Sequence, residues 1–152
     1  MRKHIMDFKN RTAIVTGGAR GIGRGIALAL AGRGANVIIA DLDEESAQRV
    51  VNEIKSGGSR SYFCETDVTQ QWSTDQMVEA TLEEYGNLDV LVNNAGVGGA
   101  PGFANRKIPN VEDWQQTFDV NVFGIVNCSQ SVEKYMIDQS YGKIVNISSI
   151  AG

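Results

Sequence analysis

The sequence predicts an α/β fold, a doubly wound parallel sheet, and three observations carry that prediction. Short apolar runs alternate with stretches of helical periodicity from one end of the chain to the other. The runs are apolar throughout, as in strands covered by helices on both faces. A glycine-rich turn, Thr16-Gly17-Gly18-Ala19-Arg20-Gly21-Ile22-Gly23, joins the first run to the first helical stretch. Right-handed crossovers between successive parallel strands complete the doubly wound topology.

Thr12-Ala13-Ile14-Val15 reads as the first buried strand. Residues 21–33 follow as a helix, with Ile22, Ile26 and Leu30 at spacings of four, ended by Gly34. Asn36 to Ala40 is the second strand. Asp43 is placed to cap the next helix, whose apolar face is Ala47, Val50, Val51 and Ile54, and Gly57-Gly58 closes it. Residues 60–64 make a weaker third strand. A helix at 70–85 presents Met77, Val78, Leu82 and Tyr85 on one side and stops at Gly86. Leu88 to Val92 is the fourth strand, and residues 97–110 form a Gly-rich loop containing Pro101 and Pro109. One long helix is expected at 111–137, with Trp114, Phe118, Val122, Ile125 and Val126 at helical spacing; Trp114 and Phe118 read as core or subunit contact. Lys143 to Ile147 is the fifth strand.

The 152 residues suit one domain, and 42% hydrophobic with 21% charged residues is an ordinary globular mixture. The formal net charge of -4, with no dense Lys/Arg run, argues against nucleic acid as a partner. Nothing approaches the ~20 apolar residues of a membrane span, and no signal-peptide pattern opens the chain, so a cytoplasmic protein is expected. Cys64 and Cys128 form no CxxC pair and read as small core residues. His4, the single histidine, lies in a terminus expected to fray, and no metal site is expected.

The glycine turn carries the first chemical signal. Between a strand and a helix, one glycine permits a tight turn, another lets a pyrophosphate approach the backbone, and a third lets the helix pack closely on the sheet. The helix N-terminus supplies unpaired N–H groups and partial positive charge. Asp41, at the end of the second strand, is placed to accept the ribose hydroxyls of NAD and to repel a 2′-phosphate, which favours NAD over NADP. The same residue also fits a turn or helix-capping acid. Arg20 is a counter-signal, since a base before Gly21 can meet a 2′-phosphate.

Five segments in order resemble the short-chain dehydrogenase/reductase family. They are Thr16-Gly17-x-x-x-Gly21-x-Gly23, Asp67-Val68, Asn93-Asn94-Ala95-Gly96, Asn121-Val122-Phe123-Gly124 and Ser148-Ser149-x-x-Gly152. The resemblance runs over residues 8–152 and implies a Rossmann-like sheet. A Rossmann methyltransferase would share the first turn but not the Asn-Asn-Ala-Gly and Ser-Ser-x-x-Gly segments. By this resemblance Gly17, Arg20, Gly21, Ile22 and Gly23 would line the pyrophosphate, and Asp41 would bind the adenine ribose. Asp67 and Val68 would flank the adenine, while Asn94, Ala95 and Gly96 would meet the ribose and nicotinamide side. Ser149 would hydrogen-bond the substrate oxygen. Asn121 would hold a water or a helix kink that relays a proton; read alone, it is also a buried polar residue satisfying backbone at a helix distortion.

The family also implies a Tyr about a dozen residues beyond the serine and a Lys four after it, acting as acid/base and as its pKa-lowering partner. The residues four after Tyr62, Tyr85, Tyr135 and Tyr141 are Thr66, Asp89, Gln139 and Val145, so the chain holds no Tyr-x-x-x-Lys. The expectation is one dinucleotide-binding domain over 1–152, incomplete after its fifth strand, with the Ile144–Ile147 edge bare and Gly152 in mid-loop. The implied full protein moves a hydride between NAD(H) and a small secondary alcohol or ketone and forms a dimer or tetramer. The 152 residues alone are expected to lack turnover. A non-catalytic dinucleotide-binding module and a nonfunctional truncated product are the competing readings.

Overall fold

The computed structural model describes residues 7–149. Five parallel strands form its sheet: β1 (Thr12–Thr16), β2 (Asn36–Asp41), β3 (Ser61–Glu65), β4 (Val90–Asn93) and β5 (Lys143–Asn146). Their order is β3-β2-β1-β4-β5, so the chain winds outward from β1 in one direction and then, from β4, in the other. Registers such as Val15 beside both Ile39 and Val92 align the strand ends, and all the C-terminal ends point one way. The third strand, weak in sequence, pairs with β2 over its full length.

Alternation along the strands divides the core in two. Ala13, Val15, Val37, Ile39, Val90 and Val92 face α1 (Gly21–Ala31) and α2 (Glu44–Ser56). Ile14, Ile38, Ala40 and Leu91 face α3 (Gln71–Tyr85) and the helical segment after residue 110. Asp43 caps α2 as expected, its side chain accepting the Ser46 N–H at 3.0 Å. Cys128 is buried and burial pushes its thiol up to about 12, whereas Cys64 is only half-buried. Among the described residues no helix is long and apolar enough to cross a membrane. His4 and Gly152 lie outside the described residues.

Two helices bury a different face from the one their bulky residues suggest. In α1, which ends at Ala31, the buried positions are Gly23, Ala27 and Ala31; Ile26 and Leu30 lie on the flank and Ile22 is 69% exposed. The single long helix is three pieces: α4 (Val111–Phe118), a π-turn (Asp119–Phe123) and α5 (Gly124–Asp138). It buries Val120, Gly124, Cys128, Val132 and Met136, while Trp114, Phe118, Val122 and Val126 face outward. Both stripes repeat every four residues. Close approach selects the small one: a methyl group at Gly124 would stand 2.8 Å from Val68 Cγ2.

At the outer edge, β5 is exposed along its length, with Ile144 and Val145 presented to solvent.

Gly23 and Gly25 give a paired test of this packing. A methyl group at Gly23 would run into the Gly17 carbonyl oxygen and lie 2.5 Å from Asn94 Nδ2, whereas one at Gly25 meets nothing within 4 Å. Gly23→Ala is expected to lower stability by about 2 kcal/mol or more. Gly25→Ala should raise it by about 0.5 kcal/mol through helix propensity. Urea denaturation midpoints of the two variants check the contrast; similar midpoints would show that α1 does not sit this close to the sheet.

Candidate functional site

The winding reverses between β1 and β4, and a crevice opens there at the C-terminal ends of the strands. It is a cleft of about 580 Å³. Gly17, Arg20, Gly21, Ile22 and Gly23 line it from the β1–α1 turn, Asp41 from β2, Asp67 and Val68 from beyond β3, and Asn94, Ala95 and Gly96 from beyond β4. The exposure of Ile22 is thus exposure into the cleft. Ser149 and Asn121 are not in this lining.

The turn is built by hydrogen bonds to its neighbour strand. Thr16 Oγ1 accepts the N–H groups of Asn94 and Ala95 at 3.0 and 3.1 Å. Asn94 Nδ2 donates to the carbonyls of Thr16 and Gly17, both at 3.0 Å. Gly17, at φ +62°, lies so close that a methyl group would stand 2.9 Å from Ala95 Cα. Gly21, at φ +51°, faces open space instead. The first glycine serves backbone packing, and the second leaves room for a ligand.

Charge in the cleft is mostly negative: Asp41, Asp67 and Asp119 against Arg20. An anion entering here would meet backbone N–H groups and a single basic side chain among the described residues, not a cluster of basic side chains. The start of α1 suits that role, having no side-chain cap and no acidic residue in its first turn.

Asp41 is fixed at both oxygens. Oδ2 accepts the Ala19 N–H at 3.0 Å and Oδ1 the Asp43 N–H at 3.1 Å. A carboxylate oxygen has a second acceptor site, so both remain competent toward ribose hydroxyls. Asp67 accepts the N–H and the hydroxyl of Thr69 at 2.9 and 2.7 Å, shaping the turn after β3.

Asn121 sits in the π-turn and clamps a backbone residue. Its Oδ1 accepts the Val97 N–H at 2.8 Å and its Nδ2 donates to the Val97 carbonyl at 2.9 Å. The reading of Asn121 as satisfying backbone at a helix distortion describes these contacts, but the residue is half-buried rather than buried. Because Val97 lines the cleft, the amide braces its wall. A π-turn adds one residue to the helical winding and often marks a functional position. Ser149 follows β5, at the same C-terminal edge of the sheet as the cleft.

Sequence reading passed over Asp113, which organises the loop after β4. It is buried in α4 and forms a capping box with Asn110, accepting the Asn110 N–H at 2.9 Å. It also accepts the Ala100 N–H at 3.1 Å and pairs with Arg106, whose Nε donates at 2.9 Å. The readable signal was Asn110-x-x-Asp113 ahead of a helix. Gln116 and Asp119, which also line the cleft, were missed because helical phase alone does not say which polar face meets a crevice.

The tyrosines stand elsewhere. Tyr62, on β3, lies 6.0 Å from Tyr85 between ring centroids, and burial pushes its phenol up to about 12. Burial also raises Tyr85. Tyr141 precedes β5 under the Arg11 guanidinium, 4.2 Å from its ring centroid, at the opposite end of the strands.

Comparison with known proteins gives a consistent result. The family model for short chain dehydrogenase matches residues 11–152. A subunit of a (2S)-[(R)-hydroxy(phenyl)methyl]succinyl-CoA dehydrogenase from Thauera aromatica is 39% identical over 146 residues, covering 96% of this chain and 58% of the relative. A 3-oxoacyl-[acyl-carrier-protein] reductase from Synechocystis sp. is 38% identical over 143 residues, covering 93% and 57%. A crystal structure of a short-chain dehydrogenase/reductase from Burkholderia phymatum in complex with NAD superposes with a TM-score of 0.86 at 30% identity, covering 97% of this chain and 52% of that one. The chain thus spans little more than half the length of the relatives it matches.

Asp113 makes the loop after β4 sensitive to acid. The Arg106 hydrogen bond, helped by the Asn110 and Ala100 N–H groups, holds its carboxyl below the usual carboxylate range. A depressed folded-state pKa contributes stability that is full above the unfolded value and lost as pH falls through the folded one. Protection of the Ala100 amide, measured by hydrogen exchange and corrected for intrinsic rate, should be flat near neutral pH and decline below about pH 4. Asp113→Asn should show the unprotected behaviour already at pH 7. Equal protection in the variant would remove Asp113 from this role.

Proposed function

The chain belongs to the short-chain dehydrogenase/reductase family, and from that premise we propose that it is the dinucleotide-holding part of an oxidoreductase that moves a hydride between NAD(H) and a secondary alcohol or ketone. The observation that carries the reading is the cleft at the switch point, where the glycine turn, Asp41, Asp67, Val68 and the Asn94–Gly96 segment converge from four strands. The pyrophosphate lies on the start of α1, where Gly21 leaves the backbone open. The adenine ribose meets Asp41, and the adenine lies between Asp67 and Val68. Asn94 acts chiefly by holding the glycine turn, and Ala95 and Gly96 pass along the nicotinamide side.

The nicotinamide supplies the hydride chemistry when bound; the protein orients and polarises. Ser149 donates a hydrogen bond to the substrate oxygen, and Asn121 holds the wall of the site through Val97. Asp41 places a negative charge where NADP carries its 2′-phosphate, which favours NAD. The names of the relatives concern a hydroxy compound in one case and a 3-oxo compound in the other, in keeping with an alcohol/ketone pair. The domain over 1–152 is the binding portion of a cytoplasmic enzyme that works as a dimer or tetramer. Since no tyrosine here is followed by Lys at the fourth position, these residues bind the dinucleotide without turning it over. That property is shared with the reading as a non-catalytic module.

Calorimetric titration of the purified chain with NADH tests the proposal. Binding is expected in the submillimolar range, and Asp41→Asn should weaken it about tenfold by removing a charge-assisted ribose contact. No oxidation of secondary alcohols should be detected. Absence of NADH binding at millimolar concentration refutes the binding role, and turnover that survives Ser149→Ala refutes the assignment of the chemistry.

A further inference from the structure

Among the described residues Arg20 is the single cationic side chain lining the cleft, and it is already engaged. Its Nη2 forms an ion pair with Asp43 Oδ2, and its Nε donates to Ser46 Oγ at 3.1 Å. Asp43 is itself held, with its Oδ1 accepting the Ser46 N–H at 3.0 Å and its N–H donated to Asp41 at 3.1 Å. The guanidinium is thereby tied to the start of α2, beside the residue that meets the ribose.

We propose that Asp43 is a specificity-determining residue that works by occupying Arg20: it neutralises a side-chain cation of the cleft that could otherwise pair with a 2′-phosphate, and it sets a second carboxylate beside Asp41. This rests on the reading of the cleft as a dinucleotide site and adds to it a residue one turn outside the cleft lining. In this arrangement Asp41 alone does not decide between NAD and NADP. With Asp43 neutral, Arg20 keeps only its Ser46 hydrogen bond and can turn toward a phosphate on the ribose, and the net charge beside Asp41 is one unit less negative. The Arg20 side chain is 74% exposed, so solvent screens the pair and the effect is moderate in size.

Asp43→Asn is the informative variant, because asparagine keeps the cap on Ser46 while removing the charge. The purified chain, the variant and the double variant Asp43→Asn/Arg20→Ala are titrated with NADH and with NADPH at low ionic strength. In Asp43→Asn the ratio of NADPH Kd to NADH Kd should fall about fivefold. The double variant should lose most of that fall. Mere disturbance of the start of α2 would weaken both nucleotides alike and leave the ratio where it was. An unchanged ratio in Asp43→Asn, or a fall that persists in full without Arg20, overturns the proposal while leaving the dinucleotide site standing. If the wild-type chain binds neither nucleotide, the dinucleotide reading falls and this proposal falls with it.

Discussion

The contact between the β1–α1 turn and the residues after β4 is the constraint on which the rest of the structure depends. Thr16 and Asn94 are hydrogen-bonded through both side chains and backbone, so two strands that are distant in sequence are locked where the winding reverses. The lock requires the backbones to touch, which is why Gly17 lies against Ala95 and Gly23 against the Gly17 carbonyl. Once Gly23 sits there, the axis of α1 is drawn down onto the sheet and only Ala27 and Ala31 fit below it. The bulky residues of α1 are displaced to its sides, and one of them, Ile22, becomes a wall of the cleft. A single close approach thus sets the helix position, the crevice and the direction of the free N–H groups.

The opposite wall is built by different means. Beyond β4 the chain has little apolar anchorage, and its path is set by polar side chains acting on backbone. Asn121 grips Val97 through both amide atoms, and Asp113 gathers Ala100, Arg106 and Asn110. The π-turn fits this logic. It lies between the buried Asp113 and the close contact of Gly124 with Val68. One side of the cleft is therefore fixed by close backbone packing together with hydrogen bonds, and the other chiefly by polar side chains acting on backbone.

Much of this was legible in the sequence. The strand–helix alternation gives the topology because apolar strands and right-handed crossovers leave few alternatives. The segments Gly17–Gly23, Asp67-Val68 and Asn94–Gly96 fall on one crevice because each follows the C-terminal end of a parallel strand. Burial on helices was read less well. Ile22-Ile26-Leu30 and Trp114-Phe118-Val122-Val126 are regular apolar stripes, yet the sheet-facing stripes are Gly23-Ala27-Ala31 and Gly124-Cys128-Val132-Met136. Periodicity identifies a face but not how near the helix lies to its neighbour, and at short separation volume outweighs hydropathy. The capping pattern of Asp113 is readable, but its burial is not: an acid near a helix start looks like a surface cap until tertiary structure buries it.

The distribution of chemistry over the chain follows from the same geometry. The groups that converge on the cleft are backbone N–H donors, the carboxylates of Asp41, Asp67 and Asp119, the Arg20 guanidinium and small residues. The phenols of Tyr62 and Tyr85 are raised by burial, and neither lines the cleft; nor does the Cys128 thiol, raised to about 12. An acid/base group working near pH 7 needs a pKa brought toward that value. Burial without a cationic neighbour does the reverse to a phenol or thiol, because it disfavours the charged form. The raised pKa values of Tyr62, Tyr85 and Cys128 are therefore marks of packing.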